Sequence, residues 1–373
     1  MPCEPEPPLS VNFALWNPLM PTRQQITCLI PTHNRPLFLR RLLHFYQLFP
    51  PGFTFVVIDS SHSEAAAENV DIIKGVSTSL NIGYRHLDLN VIDKCAEGLR
   101  NVTTPLVVFC ADDDFLMPDA IWQCVDFLEN HPEYGSAIGR MAATNVMQSF
   151  SPCIVHQGYS IEDDRPFDRC RKIADFWFTN FYGVHRTESL SENFRLTAAS
   201  TDSRKTPHLA EQMLSLLSVL SGRVKVLPLI SSVVECHGKN SSMTTRSGMQ
   251  AEGEELYLRF RNCVATQLEL TGIDRVEAER FLDQSYGHFR DSNIANRKRR
   301  RSIVEHARRF AMKASHLALD YLGRNHNQPI PIKRLLRASD YATSGPCLRQ
   351  AQQLIWDFPH GMSADSQTQK RCA

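Results

Sequence analysis

Val107-Val108-Phe109-Cys110-Ala111-Asp112-Asp113-Asp114-Phe115-Leu116 is the stretch on which the fold of this chain turns. A short apolar run reads as a buried strand, and it stops abruptly in three consecutive carboxylates. Three like charges at the mouth of a core strand repel one another and lose hydration. A divalent cation or an array of strong donors between them makes the arrangement tolerable. Ligands bind at the carboxyl ends of strands in open α/β sheets, so the triplet reads as a metal site for a phosphorylated ligand. The plain alternative is a solvated acidic turn that caps the helix opening at Pro118-Asp119-Ala120.

Upstream of the triplet, strand and helix signals alternate. Ile26-Thr27-Cys28-Leu29-Ile30 has a buried-strand pattern and ends in Pro31-Thr32-His33-Asn34-Arg35-Pro36. Leu37, Leu39, Leu42, Leu43, Phe45 and Tyr46 then fall on one helical face, with basic residues between them. Phe53 to Ile58 is a second strand, closed by Asp59-Ser60-Ser61. A third extended piece is expected before Asn81-Ile82-Gly83-Tyr84, and a helix over 89–99. With a further helix over 118–130, the order indicates a doubly wound, largely parallel sheet.

Downstream the signals weaken. Short strands are expected near 136–140 and 153–155, followed by aromatic residues at Phe176, Trp177, Phe178, Phe181 and Tyr182. Core packing is the expected role for most of these rings, with Trp177 and Tyr182 left open. Pro207 opens an amphipathic helix that Gly222 ends. Strand-like 224–227 and 233–236 then lead to His237-Gly238. Beyond Thr244 the chain reads as helical and polar, with a basic run from Asn296-Arg297-Lys298-Arg299-Arg300-Arg301 onward.

The 373 residues supply ample core material, and a net charge of +1 predicts no general affinity for nucleic acid or anionic membrane. The opening Met1-Pro2-Cys3-Glu4-Pro5 has neither the basic flank nor the apolar stretch of a signal peptide, and no run reaches membrane-spanning length. Eleven cysteines without a Cys-x-x-Cys pair fit reduced thiols in a cytoplasmic protein.

Taken in order, Pro31-Thr32-His33-Asn34-Arg35, Val57-Ile58-Asp59-Ser60-Ser61, Asn81-Ile82-Gly83, Ala111-Asp112-Asp113-Asp114 and Ala210-Glu211-Gln212 resemble the family 2 glycosyltransferases, enzymes of the GT-A fold. Each piece is short; the ordered series covers about two-thirds of the chain. The resemblance implies an α/β GT-A type doubly wound mixed sheet with a mainly helical C-terminal extension. It divides the chain into a lead-in at 1–24 and a GT-A domain at 25–245, with a nucleotide-sugar half at 25–135 and an acceptor half at 136–245. A basic helical extension at 246–359 and a disordered tail at 360–373 complete the division.

In that frame Pro31, Thr32, Asn34 and Arg35 are expected to hold a nucleotide, and Asp59 to accept a hydrogen bond from the base. Asp59 also reads as an Asx-turn with Ser60 and Ser61. Asn81 and Gly83 resemble the loop beneath base and ribose. Lys94 either faces the diphosphate or is a solvated helix lysine, the plainer reading. The triplet resembles the family's Asp-x-Asp motif in one of two registers, Ala111 with Asp113 or Asp112 with Asp114. Asp113 or Asp114 is the expected ligand of Mn²⁺ or Mg²⁺, with Asp112 toward the ribose and His237 as a further metal ligand. Glu211 is the candidate general base, since Gln212 stands where relatives carry a second acid, and His208 is near enough to assist.

The implied activity is inverting transfer from a nucleoside-diphosphate sugar, a UDP-sugar, to a carbohydrate or lipid-linked glycan in glycan or polysaccharide synthesis, at the inner face of the membrane. The basic C-terminal region reads as a solvated face packed on the catalytic domain or as a peripheral membrane contact; nucleic acid is the less expected partner. A nucleotidyltransferase would require a glycine- and lysine-rich phosphate loop that 31–36 lacks. A non-catalytic module recruited through its basic region is the remaining alternative.

Overall fold

A computed structural model describes residues 25–145, 154–156, 158–237, 253–290, 330–331 and 345–358. The lead-in at 1–24, the basic run from 296, the loop after His237 and the tail at 360–373 lie outside the described residues. In chain order the elements are β1 (Ile26–Thr32), α1 (Pro36–Leu48), β2 (Thr54–Asp59), α2 (Ser63–Val76), β3 (Asn81–His86), α3 (Val91–Leu99), β4 (Leu106–Phe109) and β5 (Phe115–Leu116). There follow α4 (Pro118–Asn130), β6 (Tyr134–Asn145), β7 (Ile154–His156), α5 (Pro166–Asp175), β8 (Val184–Arg186), α6 (Thr187–Ser200), α7 (Pro207–Ser221) and β9 (Arg223–Cys236). The last are α8 (Gly253–Glu269), α9 (Arg275–Tyr286), β10 (Ile330–Pro331) and α10 (Gly345–Trp356).

The described strands form one mixed sheet in the order β10-β7-β6-β8-β4-β1-β2-β3, with β9 joining β5 to β6. The β3-β2-β1-β4 portion is parallel, β8 returns antiparallel to β4, and β9 runs parallel to β6. This is the GT-A architecture. Strand alternation explains its layers. Ile26, Cys28 and Ile30 of β1, with Leu106 and Val108 of β4, face a core shared with α1, α2, α4 and α10. Leu29, Val107 and Phe109 face the opposite core, beneath α3, α6 and α7.

Pro31 lies within β1, where its missing N–H would ordinarily cost a ladder bond. Leu29 presents its carbonyl to Cys110 on the β4 side, so Pro31 faces that side too, beyond the last β1–β4 pair at Leu29↔Phe109. The weak signals after residue 135 have a common cause. The pieces expected at 224–227 and 233–236 are one strand, β9, and β6 extends to Asn145 with register shifts against it. Irregular pairing interrupts the period-2 pattern on which strand reading depends. Helices α2, α5 and α6 escaped the sequence reading altogether.

The described helices beyond residue 246 share their cores with the rest of the fold. Tyr257, Phe260 and Val264 of α8 and Leu282 of α9 pack with Met213 and Leu217 of α7. Leu348, Ala351 and Ile355 of α10 are fully buried in the core beneath α1. Burying each of the two larger side chains contributes about 1.5–3 kcal/mol. No described helix is long and apolar enough to cross a membrane.

Candidate active site

β4 ends at Phe109, and the amide of Asp114 donates to the Ala111 carbonyl (3.1 Å), folding the acidic triplet into a tight turn. β5 then pairs with β9 through Phe115↔Val233 and Leu116↔Ser232. The triplet therefore joins two strands, and the solvated-cap alternative fails, because Asp112, Asp113 and Asp114 are 0, 5 and 3% exposed. Buried carboxylates need partners. Each of the three has a different set.

Asp112 accepts from Thr32 Oγ1 (2.7 Å), from Arg35 Nε (3.3 Å) and from Arg35 Nη2. Burial raises its pKa despite the Arg35 charge. Asp113 Oδ2 is shared between Arg35 Nη1 (3.0 Å) and His237 Nε2 (2.9 Å). Burial pushes Asp113 upward, but the His237 hydrogen bond and the Arg35 charge outweigh it and hold the carboxyl below the usual range. Asp114 turns the other way. Its Oδ1 accepts the Glu235 amide of β9 (3.1 Å). Burial and the Asp113 charge push the Asp114 carboxyl well up. Asp114 Oδ1 is thus engaged with the β9 backbone, whereas the Asp113 carboxylate is held by the Arg35 and His237 side chains. Asp112 is engaged with Thr32 and Arg35.

Among the described residues no three His, Cys, Asp or Glu side chains form a metal cage. Asp113 and His237 form a half-site of one hard oxygen and one imidazole nitrogen. Such a donor set suits Mn²⁺ and, less well, Mg²⁺, ions that complete their shells with water and substrate phosphates.

The neighbouring strand ends are tied to one another. Asn34 has φ 53°, a left-handed conformation that asparagine tolerates better than most residues, and it turns the chain from β1 into α1. Its amide donates to Ser61 Oγ (2.7 Å), and its Oδ1 accepts from the His62 amide (2.9 Å). Asp59 is fully buried and accepts from Ser61 N (2.7 Å), Asn69 Nδ2 (2.9 Å) and Tyr84 OH (2.9 Å). The Asx-turn is thus present, and protein donors fill most of the carboxylate's capacity.

Lys94 is not a solvated helix lysine. It is 2% exposed, and its ammonium donates to the Thr32 carbonyl (2.5 Å) and Ser60 Oγ (2.9 Å), binding the ends of β1 and β2 together. Burial lowers its pKa. α3 comes close enough for this because Gly98, one turn on, lies where a Cβ would collide with Ile58.

Asn81 and Gly83 lie away from the site. They belong to β3, not to a loop, and Asn81 pairs with Thr54 while His86 pairs with Asp59. Five residues of extended strand place Asn81 roughly 16 Å from the rim. The loop that does leave the rim carries Asn90, whose Oδ1 caps α3 through the amides of Ile92 and Asp93 (3.0 Å each) and accepts from Ser203 Oγ (2.9 Å). Its signal was an asparagine directly before an apolar periodic run.

Glu211 sits in the second turn of α7, since the helix opens at Pro207 as expected. Its side chain is 30% exposed and lies 3.5 Å from His208 Nδ1. Burial raises the pKa of the Tyr182 hydroxyl, and the charges of Asp114, Asp113 and Glu211 add to the effect. The triplet and Glu211 therefore bear on one phenol. Phe181 is core, whereas Trp177 is 39% exposed with its Nε1 bonded to Ser215 Oγ (3.1 Å), one turn beyond Glu211.

Arg41 and Glu235 were missed by sequence reading. Both are buried, and Arg41 Nη2 donates to Glu235 Oε2 (2.6 Å) and to the Asp113 carbonyl (3.2 Å). Removing one member of such a pair typically costs about 3–5 kcal/mol. Arg41 was indistinguishable from the solvated basic residues flanking the apolar face of α1.

Residues 27–190 match the family described as glycosyl transferase family 2. Among solved structures, the fold is similar to Staphylococcus aureus TarS 1-349 in complex with UDP-GlcNAc, at 16% identity and a TM-score of 0.53, covering 76% of this chain and 78% of that one. A second structure of TarS 1-349 gives 16% identity and a TM-score of 0.50, covering 76% and 77%. Against another TarS structure, with a TM-score of 0.49 and 16% identity, the match covers 73% of this chain and 45% of that chain. No curated protein matches the sequence. The triplet turn and the strand ends around it lie in the segment that matches glycosyl transferase family 2, residues 27–190, on a GT-A fold.

Proposed function

We propose that the chain is an inverting glycosyltransferase that moves a sugar from a UDP-sugar to an acceptor hydroxyl. The observation that carries this reading is the sharing of Asp113 between Arg35 and His237 at the rim of β4. Partners of that kind can be exchanged for an incoming diphosphate. The solved complex of a similarly folded protein with UDP-GlcNAc supports a uridine donor.

Thr32, Asn34 and Arg35 hold the nucleotide at the ends of β1 and β2, and the Arg35 guanidinium and His237 face the charge that grows on the departing diphosphate. Asp113 and His237 would hold Mn²⁺ or Mg²⁺, which when bound supplies further positive charge there. Glu211 removes the acceptor proton as the hydroxyl attacks the anomeric carbon opposite the leaving group, so a single displacement inverts that centre. The acceptor is a carbohydrate or a lipid-linked glycan in glycan or polysaccharide synthesis on the cytoplasmic side of a membrane, with the basic C-terminal region as the peripheral contact.

Glu211→Gln tests the reading. Turnover of a UDP-sugar is expected to fall by roughly 10²–10⁴-fold. UDP binding, followed by thermal shift with and without Mn²⁺, is expected to stay within about twofold of the parent protein, since Glu211 acts on the acceptor. Full turnover by this variant would remove Glu211 as the base. Failure of UDP to stabilise the parent protein would remove the donor.

A further inference from the structure

Both side chains that hold Asp113 rest on a single ring. The Arg35 guanidinium lies 5.0 Å from the Phe38 ring centre, and the His237 ring lies 5.2 Å from it. Phe38 in turn packs against Phe358, just past the end of α10, at 4.6 Å. Phe358 also lies 4.3 Å from the buried Arg41 guanidinium, which reaches the Phe38 and Phe115 rings at 5.1 Å each. Arg41 bonds the Asp113 carbonyl and Glu235, and the Glu235 amide bonds Asp114.

From this arrangement we infer that Phe358 is a positioning residue for the diphosphate end of the site, acting through Phe38 on Arg35 and His237 and through Arg41 on the Asp113 backbone. The inference rests on the nucleotide-sugar reading for its functional consequence, and on geometry alone for the positioning. Phe358 lies far beyond residues 27–190, the segment that matches the family. α10 can present it firmly, because Leu348, Ala351 and Ile355 are each 0% exposed in the core beneath α1. The aromatic face has a specific task. Arg41 has lost water, and a ring quadrupole supplies attraction that an aliphatic side chain of similar bulk does not. A charged pair held in place before substrate arrives also spares the reaction the cost of arranging it.

The test compares Phe358→Leu, Phe358→Tyr and, as a control on the same helix, Trp356→Ala, whose indole is 43% exposed. All are made in the full chain. Binding of UDP with Mn²⁺ by calorimetry is expected to weaken about tenfold in Phe358→Leu, the scale of a lost support to a ligand-holding residue. Phe358→Tyr and Trp356→Ala are expected to bind as the parent does. Crystal structures without nucleotide are expected to show Arg41 and His237 displaced from Asp113 in Phe358→Leu and in register in Phe358→Tyr. A purely space-filling role would be met by leucine. Unchanged side-chain positions together with parent-like UDP affinity in Phe358→Leu would overturn the inference. A parent protein that binds no UDP would overturn the nucleotide-sugar reading, and the crystal comparison would still decide the positioning.

Discussion

Asp59 at the end of β2 and Asp113 past the end of β4 are two carboxylates at the same edge of the same sheet, 0 and 5% exposed. Burial does not separate them; their partners do. Asp59 is held by a backbone amide, a buried asparagine and a tyrosine hydroxyl. Asp113 is held by an arginine and a histidine that can exchange a carboxylate for a phosphate or a metal ion. A carboxylate satisfied by neutral, fixed donors shapes a turn, whereas one satisfied by charged side chains at a rim is available for chemistry.

The most severe way to break this contrast is Asp113→Asn. Turnover is expected to fall by about 10²–10³-fold through lost support of the leaving diphosphate. The melting temperature should fall as well, since the ionised Asp113 stabilises the fold at neutral pH; a variant that unfolds early but keeps its turnover per folded molecule would erase the distinction. Asp59→Ala should lose stability alone. It strands donors that each cost about 1–3 kcal/mol when left unmet, so thermal unfolding comes several degrees earlier while turnover per folded molecule holds.

Asp114 sharpens the comparison through pH. Burial raises its folded pKa, so its protonated form contributes stability below the ordinary carboxylate value, and that contribution is lost as pH rises through the raised one. Asp114→Asn fixes the neutral form. It is expected to melt about 2–4 °C above the parent at pH 7, with the gain vanishing toward pH 4, by scanning calorimetry. The depressed pKa of Asp113 gives the reverse sign: its stabilisation is full above the ordinary carboxylate value and is lost as pH falls through the lower folded one. The smallest effect belongs to Asn81→Ala, which removes one partly buried bond to Thr54. About 0.5–1.5 kcal/mol of stability and no turnover should be lost, as denaturant titration and assay would show.

Much of the parallel half of the fold was legible because each strand there is short, apolar and followed at once by a polar tip. Thr32, Arg35, Asp112 and Asp113 were readable for the same reason, since the tips of neighbouring parallel strands must meet at one edge. Asn81-Ile82-Gly83 misled because a motif of three common residues has no periodicity to anchor it, and a slip of a few positions carries it to the opposite end of a strand. Lys94 misled because a helix face is assigned from apolar residues, and a lysine that donates to a carbonyl and a hydroxyl beneath the helix leaves no such mark.

By itself the amino-acid order determined that a buried strand ends in Asp112, Asp113 and Asp114, and that other strand ends would gather beside it, because hydrophobic period and chain direction are local properties. The tertiary structure alone decided which acid faces the rim, which faces β9, and which arginine is structural. Arg41 meets Glu235 across 194 positions, and Phe358 closes over Phe38 from the far end of the chain. The reason is physical: the pKa and role of a buried charge are set by the atoms packed around it, and those atoms come from segments whose proximity no local pattern encodes.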